Sequence, residues 1–203
     1  MKTYPAIAVL EFDDISAGVA ATDAMLKRAP IAFFKCGTIT RGRYLTLIGG
    51  TTASVIESAD EGVRHAGDRL LDHVVLPDVH PRLFDGVLGN RHPRGAGSLA
   101  ILETSTVSAS IRAAEAALKG TPVELVEIRL ADSGLAGKGT LVLEGELHDV
   151  EAAVALAVAR IGESAAQVSY RVIAAPHEAT TGQIAHGTSF RSSLLIELEG
   201  ERV

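Results

Sequence analysis

Residues 10–30, LEFDDISAGVAATDAMLKRAP, return as residues 102–122, LETSTVSASIRAAEAALKGTP. The register holds without a gap from the pair Ala6/Ser98 to the pair Ile31/Val123, each pair ninety-two positions apart. Identities fall at Leu10/Leu102, Glu11/Glu103, Ser16/Ser108, Ala24/Ala116, Leu26/Leu118, Lys27/Lys119 and Pro30/Pro122, and Asp23/Glu115 keeps its charge. After a short insertion the offset becomes ninety-five, pairing Gly42/Gly137, Arg43/Lys138, Gly50/Gly145, Val55/Val150, Gly67/Gly162 and Pro81/Pro176. An internal repeat of this length means two copies of one structural unit.

Within each copy the periodicity predicts two helices and four strands. Ile15, Val19, Thr22 and Leu26 share one helical face, as do Val107, Ile111, Ala114 and Leu118. Pro30 and Pro122 close these helices, because the residue before a proline is pushed out of helical geometry. A second helix is expected along Val55, Ala59, Val63, Ala66, Leu70 and its counterpart Val150, Val154, Val158, Ile161, Ala165. Short apolar runs supply strands at residues 7–12, 31–36, 44–48 and 74–76, and again at 99–103, 123–130, 139–143 and 168–173. The order β-α-β-β-α-β is the ferredoxin-like split βαβ pattern, an α/β (α+β) unit with two helices on one face of an antiparallel sheet.

Gly89 to Gly97, GNRHPRGAG, disfavours the interior of any regular element. We place the first domain at residues 1–90, the linker at 91–97, the second domain at 98–190 and a C-terminal extension at 191–203. Within the extension, SSLLIELE (192–199) alternates as a strand does, and an added strand is expected there.

Composition narrows the function. Hydrophobic residues reach 47% with only 4% aromatic, a content of Ala, Val, Leu and Ile suited to thin, closely packed layers. The most apolar stretch, Val150 to Ala159, is far shorter than the roughly 20 residues a bilayer span needs. Its first residues, MKTYPAIAVLEFDD, lack the pattern of an export signal, so a cytoplasmic location is expected. A formal net charge of -6, with no basic stripe interleaved with aromatics, argues against nucleic acid as a partner.

Familiar chemical motifs fail on inspection. Cys36 is the only cysteine, which excludes an intrachain disulfide, and a buried core thiol is expected there. Seven histidines form no HExxH or other close ligand pair. Gly95 to Ala100 matches a dinucleotide fingerprint only on paper, since it precedes a strand instead of joining a strand to a helix. Gly137-Lys138-Gly139-Thr140 lacks the first glycine and the Ser/Thr of a phosphate loop, and no GxSxG is present. Nothing supports catalysis.

The paired strings quoted above, each followed by a hairpin and a second helix, resemble the bacterial microcompartment domain. Two copies in unpermuted order are similar to the tandem shell proteins, most of all the propanediol-utilisation type, through ITRGRYLTLIGG, LPDVHP and LAGKGTLVLEGELHDVEAAV. That resemblance implies a structural role, with three chains forming a pseudohexameric disc that tiles edge to edge with other shell proteins in a microcompartment shell. Small metabolites cross at a central pore, and neither nucleic acid nor a membrane is a partner.

The resemblance places the pore lining in the loops before each hairpin's second strand. These are Thr38, Ile39, Thr40 and Arg41 in the first copy, and Asp132, Ser133, Gly134 and Leu135 in the second. It assigns the tile edge to Lys27 and Lys119, with His80 and His177 in corresponding edge turns. Lys27 and Lys119, read alone, are also simply cations late in a helix, favoured by its dipole. Some relatives hold an iron-sulfur cluster on a pore-loop cysteine, a position that is Thr40 here, so no cluster, other cofactor or metal is expected. The competing reading is a tandem ferredoxin-like regulatory module that binds a small metabolite between subunits, because fold alone does not fix function.

Overall fold

The computed structural model describes residues 6–93, 95, 97–162, 166–196 and 198. The first half contains β1 (Ala6–Phe12), α1 (Ile15–Arg28), β2 (Phe33–Ile39), β3 (Arg43–Gly50), α2 (Thr52–Ala66), β4 (Leu70–Leu76) and α3 (Pro81–Val87). The second contains β5 (Ser98–Thr104), α4 (Val107–Gly120), β6 (Glu124–Leu130), β7 (Gly139–Gly145), α5 (Leu147–Gly162), β8 (Val168–Ile173) and α6 (Glu178–His186). Each half folds into an antiparallel four-stranded sheet, ordered β2-β3-β1-β4 and β6-β7-β5-β8. This is the split βαβ order expected from the sequence.

Local signals explain the boundaries. Asp14 caps α1 by accepting from the Ala17 amide at 2.7 Å, and Thr106 caps α4 by accepting from the Ala109 amide at 3.2 Å. Gly67, at φ 55°, ends α2 in a conformation that favours glycine, so Leu70 opens β4 instead of extending the helix. Its expected counterpart Ala165 lies outside the described residues.

Each half also carries a helix that periodicity did not reveal. His80 caps α3 through Nδ1, which accepts from the Arg82 amide at 3.3 Å, and His177 caps α6 in the same way at 3.2 Å from the Ala179 amide. The two caps are ninety-seven positions apart, so the structural equivalence here is His80/His177 and not the Pro81/Pro176 pairing. The added strand is also corrected. Residues 193–196 and 198 form no strand, because the chain closes on itself in a turn where Ser192 N and Ser193 N donate to Ser189 O and Phe190 O. Glu197 and Glu199 lie outside the described residues.

The first sheet is apolar on both faces. Ala6, Ala8, Leu10 and Phe12 pack beneath Ala21 and Met25 of α1 and Val55 and Ala59 of α2. On the opposite face Ile7, Val9, Leu47, Val74 and Leu76 join one cluster with Val107, Ile111 and Leu118 of α4 and with Leu83 and Phe84 of α3. The second half's first helix therefore covers the first half's free sheet face. Helix α4 is buried nearly all round, against its own sheet on one side and its neighbour's on the other.

Polar groups fix this seam. Arg112 on α4 forks onto Asp72 of β4 at 2.7 and 3.0 Å and donates to His73 O at 2.6 Å. The Thr106 hydroxyl donates to Asp72 at 2.5 Å, and the Val107 amide donates to Glu11 at 2.8 Å.

Candidate functional site: paired loops at the hairpins

Strand registers align the two loops residue by residue. Thr38 faces Tyr44 as Leu130 faces Gly139, which makes Thr40 the counterpart of Asp132. Residues 40–42 then correspond to residues 132–137, so the second loop is three residues longer, as the two strand registers require. The first loop is a single 3-10 turn in which Arg41, at φ 70°, adopts left-handed backbone.

The loops sit side by side. The Thr40 amide and hydroxyl donate to Ala131 O at 3.0 and 2.6 Å, and the Gly137 amide returns a bond to the Thr40 hydroxyl at 2.9 Å. Arg43 donates to Gly137 O at 2.6 Å. Gly137, at φ 84°, takes a backbone conformation that favours glycine, and a Cβ there would meet the Arg43 guanidinium at 2.9 Å and displace it from its bond to Gly137 O.

Of the eight expected pore residues, Thr38, Arg41, Asp132, Ser133 and Gly134 are exposed. Ile39 packs against the core and Leu135 is half-buried, so neither presents a full side chain outward. Arg41 forms no ion pair among the described residues, whereas Asp132 is held by Arg129. The carboxylate of Asp132 is thus already neutralised within its own loop, a relation the sequence spacing of three did not disclose.

Of the four expected edge residues, Lys119 and His80 fall at the seam between halves. Lys119 pairs with Glu115 at 2.8 Å and also donates to Asp78 O across the seam. Glu115, followed by Asp78, holds its ammonium pKa above the usual lysine value. Glu115 also accepts from the His80 amide at 3.0 Å. Lys27 is exposed and pairs with Asp23 on its own helix.

Cys36 is exposed, not buried, because β2 is an edge strand and no neighbouring element covers it. The Tyr44 hydroxyl donates to its sulfur at 3.1 Å. Its counterpart in strand register, Ile128, is buried against α3. Among the described residues no cluster of His, Cys, Asp or Glu could hold a metal ion, and no helix is long and apolar enough to cross a membrane.

The profile of the BMC domain matches residues 6–79 and 98–176, the two structural units just described. The chain belongs to the BMC-domain family. It is 36% identical over 182 residues to the bacterial microcompartment shell protein PduT of Citrobacter freundii, covering 90% of this chain and 98% of that one. A crystal structure of a microcompartment protein from Desulfitobacterium hafniense superposes with a TM-score of 0.75 at 33% identity, covering 89% of this chain and 99% of that one. A fused permuted hexameric shell protein of the RMM microcompartment shares the fold at a TM-score of 0.59 and 21% identity, covering 80% of this chain and 84% of that one. With both BMC domains in place and shell proteins as its relatives, the chain is a tandem-domain shell protein and not an enzyme.

Membership explains neither the buried acid nor its cost. Glu11 lies fully buried at the seam, paired with Arg43 at 2.8 Å and with the Val107 amide. Burial outweighs both partners and pushes its carboxyl pKa up to about 7. A carboxyl that binds its proton more tightly when folded loses stability as pH rises from the unfolded value toward the folded one. The shift corresponds to about 3 kcal/mol at 1.36 kcal/mol per unit. Urea unfolding from pH 4 to 8 should therefore show stability falling across about pH 4.5 to 7 in the parent, with that component absent in Glu11→Gln.

Proposed function

We propose that three copies of this chain close into a pseudohexameric tile with a central pore, and that tiles join edge to edge in a microcompartment shell. The observation that carries this reading is an unequal pair of surfaces. Val107, Ile111 and Leu125 are 0%, 0% and 2% exposed, whereas their counterparts Ile15, Val19 and Phe34 are 42%, 51% and 52% exposed. What the first half's sheet and α3 do for α4 and β6, the second half of another copy does for α1 and β2.

The polar partners repeat in the same way. Glu103, the counterpart of Glu11, is positioned to take the Ile15 amide of the next copy. Asp23, the counterpart of Glu115, is positioned to take the next copy's His177 amide. Such a head-to-tail contact either closes into a ring or runs on as a filament. Relatives described as hexameric and trimeric shell proteins favour closure at six domains, which is three chains.

Closing the ring brings three copies of each loop around one axis. Arg41 carries a charge with no ion-pair partner among the described residues and Asp132 a compensated one, so the pore favours anionic and polar metabolites. Charges lining a narrow cleft with low-dielectric walls focus the field. Lys27 and Lys119 face the tile edge, with His80 and His177 shaping the turns beside them.

Three outcomes test this reading. Ile15→Asp with Val19→Asp should leave far-UV circular dichroism unchanged and convert a trimer of 21.2 kDa chains to monomer by light scattering. Each lost apolar contact removes about 1.5–3 kcal/mol per seam. Lys27→Ala with Lys119→Ala should keep the trimer and abolish the sheets or tubes that the parent forms in electron micrographs. Arg41→Glu should reverse the anion preference in bilayer conductance, most clearly at low salt.

A further inference from the structure

Behind the longer loop lies a charge network, buried at Arg129 and Glu127 and open at Asp132 and Thr188, that the duplication does not account for. Arg129, 8% exposed at the end of β6, spends its whole guanidinium on it. Its Nε donates to Asp132 Oδ2 at 3.0 Å, and Nη2 donates to Asp132 Oδ1 and to Ser133 O, the latter at 2.9 Å. Its Nη1 reaches the Thr188 hydroxyl at 3.3 Å. Thr188 in turn donates through its hydroxyl and its amide to Glu127, at 2.8 and 3.2 Å. Arg91, at the exit from α3 toward the second half, completes the network with an ion pair to Glu127 at 2.9 Å and a bond to Ala185 O at 2.9 Å.

Strand register makes Lys35, Gly37 and Thr40 the first-half counterparts of Glu127, Arg129 and Asp132. None of the three can build this arrangement, so the network belongs to the longer loop alone. Thr188 stands just beyond α6, where the C-terminal segment begins.

We infer that Arg129 is the positioning residue of the longer pore loop, keeping the Asp132 carboxylate bound within its own chain, and that Thr188 ties the seating of the C-terminal segment to that hold. The inference rests on the pore reading above. Its consequence is that the charge presented at the axis is governed by a residue that the permeating molecule never touches. A bidentate fork does this where a lysine's point charge does not, because it fixes both oxygens and their plane.

The test combines hydrogen exchange of the full-length trimer with reversal potentials in planar bilayers under a potassium chloride gradient. Arg129→Gln should speed exchange across residues 132–138 and lower the anion-to-cation permeability ratio by about threefold or more, since freed carboxylates act in a focused field. Adding Asp132→Asn to Arg129→Gln should restore the ratio, and Thr188→Val should give a smaller loss of the same kind. Arg129→Lys should keep the fold and lie between parent and Gln. Asp132→Asn alone, which leaves the Arg129 cation without its carboxylate, should not lower the ratio below the parent value. Unchanged loop exchange in Arg129→Gln overturns the inference. So does a ratio that Asp132→Asn fails to restore, or one that Asp132→Asn alone lowers. If exchange accelerates while neither these variants nor Arg41→Glu alters the ratio, the anchoring holds and the pore placement is overturned.

Discussion

A sheet with two apolar faces and only one pair of helices to cover them cannot stand by itself in water, and everything else in this protein follows from that constraint. Helices α1 and α2 cover one face of the first sheet; Ile7, Val9 and Leu47 on the other would be left to solvent. Helix α4 resolves this by serving two sheets at once. The same logic cannot be completed within one chain. On the second sheet's outer face Leu99, Val126 and Val142 are buried, but Ile101 and Ile173 are only partly so, with Ile184 of α6 packed beside them, and among the described residues α1 has a sheet on one side alone. Both halves of a repeating contact are thus present at opposite ends of one molecule.

Duplication frees the two seams to differ. The internal seam is formed once, during folding, and carries the costlier chemistry: a fully buried Glu11, an Arg43 beside it and the Asp72–Arg112 fork. At the open surface the same places hold Glu103, Lys138, Ser169 and Ala20, with Lys138 and Glu103 paired at 2.7 Å in water's reach. Burying an acid is tolerable where its partners are tethered in the same chain. Where the partner arrives by diffusion, the desolvation penalty of a buried pair would weigh directly on association.

The duplicated core was legible because its signals are local or repetitive. Identities such as Leu10/Leu102 fix the register, and Pro30 and Pro122 punctuate the helices. Of the expected stripe Ile15, Val19, Thr22 and Leu26, only Thr22 is buried on the chain's own sheet, beside Gly18, Ala21 and Met25, while Ile15 and Val19 stay exposed; periodicity cannot say which apolar surface a stripe meets. Cys36 shows the same limit, since burial on an edge strand depends on which element packs over it, as α3 does over Ile128. Helices α3 and α6 were missed because their caps are histidines, outside the usual Ser, Thr, Asp and Asn set. The Arg129–Asp132 pair spans a chain reversal through Ala131 at φ 54°, a backbone conformation that sequence spacing does not announce.

The longer loop illustrates how an insertion is made compatible with an ordered function. Three added residues bring glycines and alanines, and Ala131, Gly134, Ala136 and Gly137 all take positive φ. For the two alanines that conformation costs about 1–2 kcal/mol each. Such a loop, left to itself, would sample many shapes, and a loop that fluctuates cannot hold a charge in a defined place. Order is supplied from both ends: Thr40 and Arg43 of the first half grip Ala131 and Gly137, and Arg129 grips Asp132 and Ser133. The short loop needs no such support, being a single turn between paired strands. The two loops therefore differ in how they are held, one by its own brevity and one by contacts from its neighbours, and only the second can be adjusted without altering the segment itself.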